Sequence, residues 1–246
     1  MISSNVLSDP ELRRFGKQIS LSQIGLEGQE NLKKAKVAVI GAGGLGTVVL
    51  QYLAASGVGC LGIIDYALVE ETNIQRQTLY GGNDLGKLKT IISKQHLQDL
   101  FPLIDFDIIN LQLVANNIDK ILEPYDMVVD ATNDPASHQV VCKSCESLNL
   151  PWIFATLNDF GGKIAAFDSN LNAGCSNAKF LDSIIPTSNF DTNGASSLTY
   201  GFIGNIIALE VVKFFVRNSH SLINKVMTVD MLSYRFDILS LNSDNK

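Results

Sequence analysis

A short β-prone run, Val37-Ala38-Val39-Ile40, flows without a break into Gly41-Ala42-Gly43-Gly44-Leu45-Gly46, and this junction constrains the chain more than any other stretch. Gly41, Gly43 and Gly46 satisfy G-x-G-x-x-G between a strand and a helix, the setting in which that pattern carries meaning. Glycine is needed three times: for a tight turn, for close approach of main chain to phosphate oxygens, and for close packing of helix on strand. The helix start adds amide donors and the positive end of its dipole. The junction therefore predicts a nucleotide-binding α/β sheet with Gly41, Gly43, Gly44, Leu45 and Gly46 at the phosphates. Leu61 to Ile64 reads as the second strand and ends at Asp65. A carboxylate there can accept hydrogen bonds from ribose hydroxyls, and a turn-forming aspartate is the competing reading.

Either side of that junction, helical and strand-like runs alternate. Ser8-Asp9-Pro10-Glu11 supplies a capping side chain, a first-turn proline and an acid near the positive end of a helix, and Arg13, Arg14 and Lys17 fall on its polar face. A second polar helix runs through Gln29 to Lys34, and the helix from Thr47 to Ser56 is stopped by Gly57 and Gly59. Thr72-Asn73-Ile74-Gln75-Arg76-Gln77 then packs amides and a guanidinium into six residues, and Gly86-Lys87-Leu88-Lys89 opens another helix. Arginine offers a rigid fork and lysine a mobile charge to phosphate oxygens; a solvated turn with a charged helix face is the alternative. Phe106 to Leu113 reads as the third strand, Ile118 to Leu122 as a helix, and Met127 to Asp130 as an apolar strand running into the polar tip Thr132-Asn133-Asp134. Ligands of open α/β sheets sit at such carboxyl ends, so Asn133 and Asp134 are candidates for phosphate or magnesium contact, against a simple turn. Gly161-Gly162 joins two strand-like runs, suggesting an antiparallel continuation. A polar stretch from Asn170 to Ser197 reads as a long loop, Phe202 to Val216 as an apolar helix too short to span a bilayer, and Val226 to Leu241 as closing strands.

The expectation is one α/β domain over 1–246: helices in 1–35, a Rossmann-like doubly wound nucleotide-binding half in 36–150, and an antiparallel half in 151–246 with the loop at about 170–197. With 25 acidic against 19 basic residues, the net charge of −6 argues against a general nucleic-acid binder. No targeting or membrane-spanning stretch is read, so the expectation is a cytoplasmic protein with no membrane partner. Four cysteines in such a length argue against a disulfide scaffold, and Cys142 and Cys145, a lone C-x-x-C in a helical stretch, read as core positions before a redox or metal pair.

From Arg14 to about Leu241 the chain resembles the ThiF/MoeB/HesA family, bacterial relatives of the ubiquitin-activating enzymes. The matching residues are Arg14-Phe15 with Gln18, Gly25 with Gly28-Gln29, the Gly41-to-Gly46 turn, Asp65, Asn73-Ile74-Gln75-Arg76-Gln77, Gly86 with Lys89, Asp130 with Thr132, Gly161-Gly162, and Gly201 to Gly204 with Ala208, Glu210 and Lys213. The N-x-x-R-Q segment at this distance from the glycine turn is the specific part. The resemblance implies adenylation of the C-terminal glycine of a ubiquitin-like sulfur carrier by magnesium ATP, with release of pyrophosphate, in a dimer. It assigns the turn, Asn73, Arg76 and Lys89 to the phosphates, Thr72 and Gln77 to the nucleotide site, Asp65 to the ribose and the Asn133-Asp134 tip to the metal side, with Arg76, Lys89, Asp134 and Lys17 as the catalytic groups.

Five departures accompany the matches. Asn133 stands where the family has an acid, with Asp134 one position on, and His138 stands at an arginine. Lys17 replaces the arginine that reaches into the partner's site. Of the zinc cysteines Cys175 matches one while Ala178 stands at the next, which predicts no zinc. The loop around Phe190 and Asp191 lacks the cysteine some relatives use for covalent transfer. Three classes stay open on the sequence: an active adenylating enzyme, a non-catalytic or heterodimer subunit, and a nicotinamide-dependent oxidoreductase.

Overall fold

The strand that enters the glycine turn, β1 (Lys36–Ile40), lies inside an eight-stranded sheet. The structure is a computed structural model and describes residues 6–132, 134–168 and 196–240. The other strands are β2 (Cys60–Ile64), β3 (Asp105–Ile109), β4 (Met127–Asp130), β5 (Trp152–Asn158), β6 (Gly161–Phe167), β7 (Lys225–Asp230) and β8 (Arg235–Ser240). Their order is β3-β2-β1-β4-β5-β6-β7-β8. Pairing is parallel from β3 to β5 and antiparallel from β5 to β8. The parallel half thus reaches one strand beyond Asp130, and β5 is the pivot.

Helices cover both faces, which makes the sheet doubly wound. α1 (Asp9–Ile19), α2 (Gly25–Lys34), α3 (Gly44–Ser56), α5 (Lys89–Leu100) and α8 (Ser197–Phe215) are the longer elements of one set, with α4 (Glu71–Ile74) a single turn before α5. α6 (Ile118–Leu122) and α7 (Pro135–Leu148) cover the opposite face. Val37, Val39, Leu61, Ile63, Val129 and Ile153 pack with α3, α5 and α8, while Ala38, Ile40, Val128, Trp152 and Phe154 pack with α6 and α7. Strands buried on both faces read as continuous apolar runs, which is why β1 and β4 are legible. Cys142 and Cys145 are buried in the layer between α7 and the sheet, as core residues.

The matched N-terminal residues form a clamp. Gln18 Nε2 donates to Gln29 Oε1 at 2.7 Å, and both side chains donate to the Ser56 carbonyl at 2.9 and 3.0 Å. The next residue, Gly57, ends α3 in the left-handed region, and a Cβ there would stand 2.6 Å from Gln29 Nε2 and 2.7 Å from the Phe15 ring. These residues fasten α1 and α2 to the end of the phosphate-site helix.

Helices α2 and α3 begin earlier than the sequence suggests, at Gly25 and Gly44, and α5 later, at Lys89; three further differences bear on packing and the site. The Gly161-Gly162 pair is not the turn: Asp159 and Phe160 are, and the glycines open β6, where added Cβ atoms would meet the Val229 and Thr156 carbonyls at 2.1 and 2.2 Å. The strand expected to reach Leu113 stops at Ile109, because the chain leaves the sheet to line a cavity. The apolar helix begins at Ser197, capped by Ser196, so at 19 residues it is long and apolar enough by length and composition to cross a membrane, contrary to the expectation. Packing accounts for that composition: Ile203, Ile207, Ala208 and Val211 are buried, and a Cβ on Gly204 would meet Val48 at 2.8 Å. Asn133, Cys175, Ala178, Phe190 and Asp191 lie outside the described residues.

Candidate functional site

The strand order reverses between β1 and β4: from β1 the chain moves to β2 on one side and later returns to β4 on the other. A crevice opens at such a switch point, beyond the carboxyl ends of the strands. Here it holds a cavity of about 550 Å³.

Glycine shapes its floor. Gly41 has φ +93°, and a Cβ on it would lie 2.9 Å from the Ala131 carbonyl at the tip of β4. A Cβ on Gly46 would lie 1.8 Å from the Gly41 carbonyl, so the third glycine seats α3 on the turn and does not itself line the cavity. Gly43, Gly44 and Leu45 do line it. Their amides precede the first intrahelical bond, from Thr47 N to Gly43 O, and have no acceptor among the described residues. Asp65 grips the turn as well as lining the cavity: Oδ2 accepts from the Ala42 amide at 2.7 Å and Oδ1 from the Ala67 amide at 2.8 Å. Each oxygen keeps a lone pair for a ligand hydroxyl.

The polar segment divides by role. Arg76 and Gln77 line the cavity; Arg76 Nη1 also donates to the Thr72 carbonyl, and Gln77 Oε1 is buried without a donor among the described residues. Asn73 lines it too, but its Oδ1 accepts from the Glu70 amide at 3.1 Å, capping α4. Thr72 stays outside the lining and supports Arg76 through its main chain. Lys89, at the start of α5, is only 8% exposed, and its ammonium has no acceptor among the described residues. Burial holds its pKa below the ordinary lysine value, and Arg76 pushes the same way, against Asp65 and Glu70. A half-dehydrated cation without a partner favours an incoming anion.

At the tip of β4, Asp130 and His138 are both fully buried, with Nδ1 2.7 Å from Asp130 Oδ2. Asp130 Oδ1 accepts from Thr132 N and Oγ1 at 3.1 and 2.7 Å. Burial works against both charges, but each is outweighed by the other: the Asp130 pKa is lowered and the His138 pKa raised. Asp134 caps α7, its Oδ2 accepting from Ser137 N and Oγ at 2.8 Å each, while the residue lines the cavity. Lys17 is exposed on α1 and does not line the cavity of its own chain.

Sequence reasoning missed two walls. Leu113 after β3 packs in one apolar cluster with Ile40, Ile64, Val140 and Val141, and these residues line the cavity together with Leu111 as an apolar slot that suits a flat base; the signal was an apolar pair running past the end of a strand. Opposite, Thr156, Asn158 and Asp159 from the β5–β6 hairpin face Ser196, Thr199 and Tyr200 at the start of α8, joined by a bond from Thr199 Oγ1 to the Asp159 carbonyl at 3.0 Å. Residues from the N-terminal ends of four helices, α3, α5, α7 and α8, therefore meet around one cavity.

The profile described as the ThiF family matches residues 15–246. The chain is 42% identical over 157 residues to the sulfur carrier protein adenylyltransferase of Thermus thermophilus, covering 64% of this chain and 58% of that protein. It is 33% identical over 231 residues to the probable molybdopterin-synthase adenylyltransferase of Porphyra purpurea, covering 92% of this chain and 60% of that protein. The chain thus spans about three fifths of the length of these relatives. Among solved structures, PaaA superimposes with a TM-score of 0.82 at 22% identity, covering 97% of this chain and 76% of that one. E. coli MccB with ATP gives 0.76 at 24% identity, covering 98% and 74%.

Proposed function

The chain belongs to the ThiF family, and from that premise we propose that it adenylates the C-terminal glycine carboxylate of a ubiquitin-like sulfur-carrier protein or a similar peptide. A carboxylate oxygen of the acceptor attacks the α-phosphorus of ATP, the bond from that phosphorus to the bridging oxygen breaks, and pyrophosphate leaves with the pair. The product is an acyl-adenylate.

One observation carries this reading: free turn amides, Arg76 and Lys89 all border one cavity beside an apolar slot. The slot would take the adenine and Asp65 the ribose. The Gly43, Gly44 and Leu45 amides and Lys89 would hold phosphate oxygens, where aligned donors stabilise the charge that develops as pyrophosphate departs. The hairpin and the start of α8 form the wall left for the acceptor tail. Magnesium would enter with the triphosphate: no cluster of three ligating side chains is present among the described residues, and magnesium keeps phosphate and water ligands alongside one or two carboxylates. Asp134 is the acid at the tip that fits that part. Dimerisation, with a second copy or a related chain, would bring Lys17 to the partner's cavity.

A second reading, a nucleotide-binding subunit without turnover, draws on His138, which is committed to Asp130, and on Asp134, which already caps a helix. ATP–pyrophosphate exchange with glycine-tailed carriers decides between the two: exchange that depends on the carrier supports the enzyme, and ATP binding without exchange across a range of carriers supports the subunit. NAD binding in preference to ATP would revive an oxidoreductase.

A further inference from the structure

Tyr80 is buried beneath the glycine turn and does not line the cavity. Its hydroxyl lies 2.8 Å from the Ala42 carbonyl and 2.8 Å from Ser93 Oγ on α5, with the Lys89 carbonyl at 3.5 Å. A carbonyl can only accept, so the single phenolic hydrogen goes to Ala42, and Ser93 donates to the phenolic oxygen. Burial raises the phenol pKa, which keeps it a neutral donor.

The consequence lies on the other side of one peptide plane. All described peptide bonds are trans, and in a trans peptide the carbonyl of one residue and the amide of the next point in opposite directions. Pulling the Ala42 carbonyl down onto Tyr80 turns the Gly43 N–H away from Tyr80, and of these two residues Gly43 lines the cavity and Tyr80 does not. The Ala42 amide is fixed separately by Asp65, so the turn is held from both ends of one residue. Through Ser93 the same hydroxyl ties this peptide to the helix that begins with Lys89.

We propose that Tyr80 is a positioning residue for phosphate recognition, setting the Gly43 amide and its spacing from Lys89. This rests on the nucleotide reading above. It predicts a selective defect: groups beyond the ribose lose affinity and the nucleoside does not.

Calorimetry on the full chain tests it with ATP and adenosine against wild type, Tyr80→Phe, Ser93→Ala and the double variant, alongside thermal melting without ligand. Tyr80→Phe keeps the ring and should weaken ATP up to roughly tenfold, the scale of one lost hydrogen bond, with adenosine unchanged within about twofold. Ser93→Ala should weaken ATP less, and the double variant no more than Tyr80→Phe, because both act through one hydroxyl. Unchanged ATP affinity in Tyr80→Phe overturns the proposal while leaving the nucleotide reading intact. Equal weakening of ATP and adenosine with a lowered melting point assigns Tyr80 a structural role only, and also overturns it. Wild type that binds neither ligand defeats the nucleotide reading itself.

Discussion

β1 and β8 belong to one sheet and live in different solvents. From Val37 to Ile40 every residue of β1 is buried, with helices on both faces and the glycine turn at its end. β8 is exposed along nearly its whole length, with Phe236, Ile238 and Leu239 open to solvent and Tyr234 beside them 84% exposed. The ends of buried strands are where a polar group cannot be relieved by water, so charge there has to be met by protein or ligand. An edge strand carries no such demand. Chemistry therefore collects where the sheet is covered twice, and sequence changes should matter in proportion.

That proportion can be measured. The largest effect should come from His138→Gln, which leaves the Asp130 carboxylate buried without its cation and should cost about 3–5 kcal/mol in urea unfolding. The pH dependence has a definite sign. The lowered Asp130 pKa gives stability that is present above its ordinary value of 3.8 and is lost as pH falls through the folded value. The raised His138 pKa gives stability that is full below 6.5 and is lost as pH rises through the folded value. The gap between wild type and variant should be widest between those ordinary values and should shrink in alkaline solution; a gap that ignores pH would show the pair is not ionised.

Next come Arg76→Ala and Lys89→Ala, each expected to slow adenylate formation by on the order of 100-fold while weakening ATP binding far less, as read by pyrophosphate exchange beside calorimetry. Equal losses in both measurements would place these charges in ground-state binding. Gly204→Ala, where α8 crosses α3, forces Val48 to yield and should cost roughly 1–3 kcal/mol of stability. The smallest effect belongs to the edge: Ile238→Ser, at a position 54% exposed, should stay within about 0.5 kcal/mol. A larger loss there, dependent on protein concentration, would mean that β8 is covered by a partner in solution and would break the contrast.

What the sequence disclosed follows the range of the forces involved. β1, the glycine turn, the stop at Gly57 and the helix at Ile118–Leu122 rest on neighbours in the chain, and the structure places them as read. The start of α8 was hidden because Ser196 to Gly201 show no helical period, and the helix there is set by contact with α3, with Tyr200 seated over Gly44. The glycines of β6 looked like turn residues, since only their cross-strand neighbours, the Val229 and Thr156 carbonyls, reveal why a side chain cannot fit. Arg76, Lys89 and Asp65 were legible as charges ahead of helices or after a strand. The bond between Asp130 and His138 was not, although an acid ending an apolar strand was already a reason to look for its cation.

The position of β1 has a cost in time. Its pairing with β2 needs the chain only as far as Ile64, but its other flank is completed by β4, and Lys36 N meets Asp126 across 90 positions. At translation speeds of about 5–20 residues per second, that flank waits for roughly 5–20 s while the nascent chain grows. Throughout the interval a strand that is apolar from Val37 to Ile40 presents one open edge, and a molecule built to be safest at its centre when finished is most vulnerable there while it is being made.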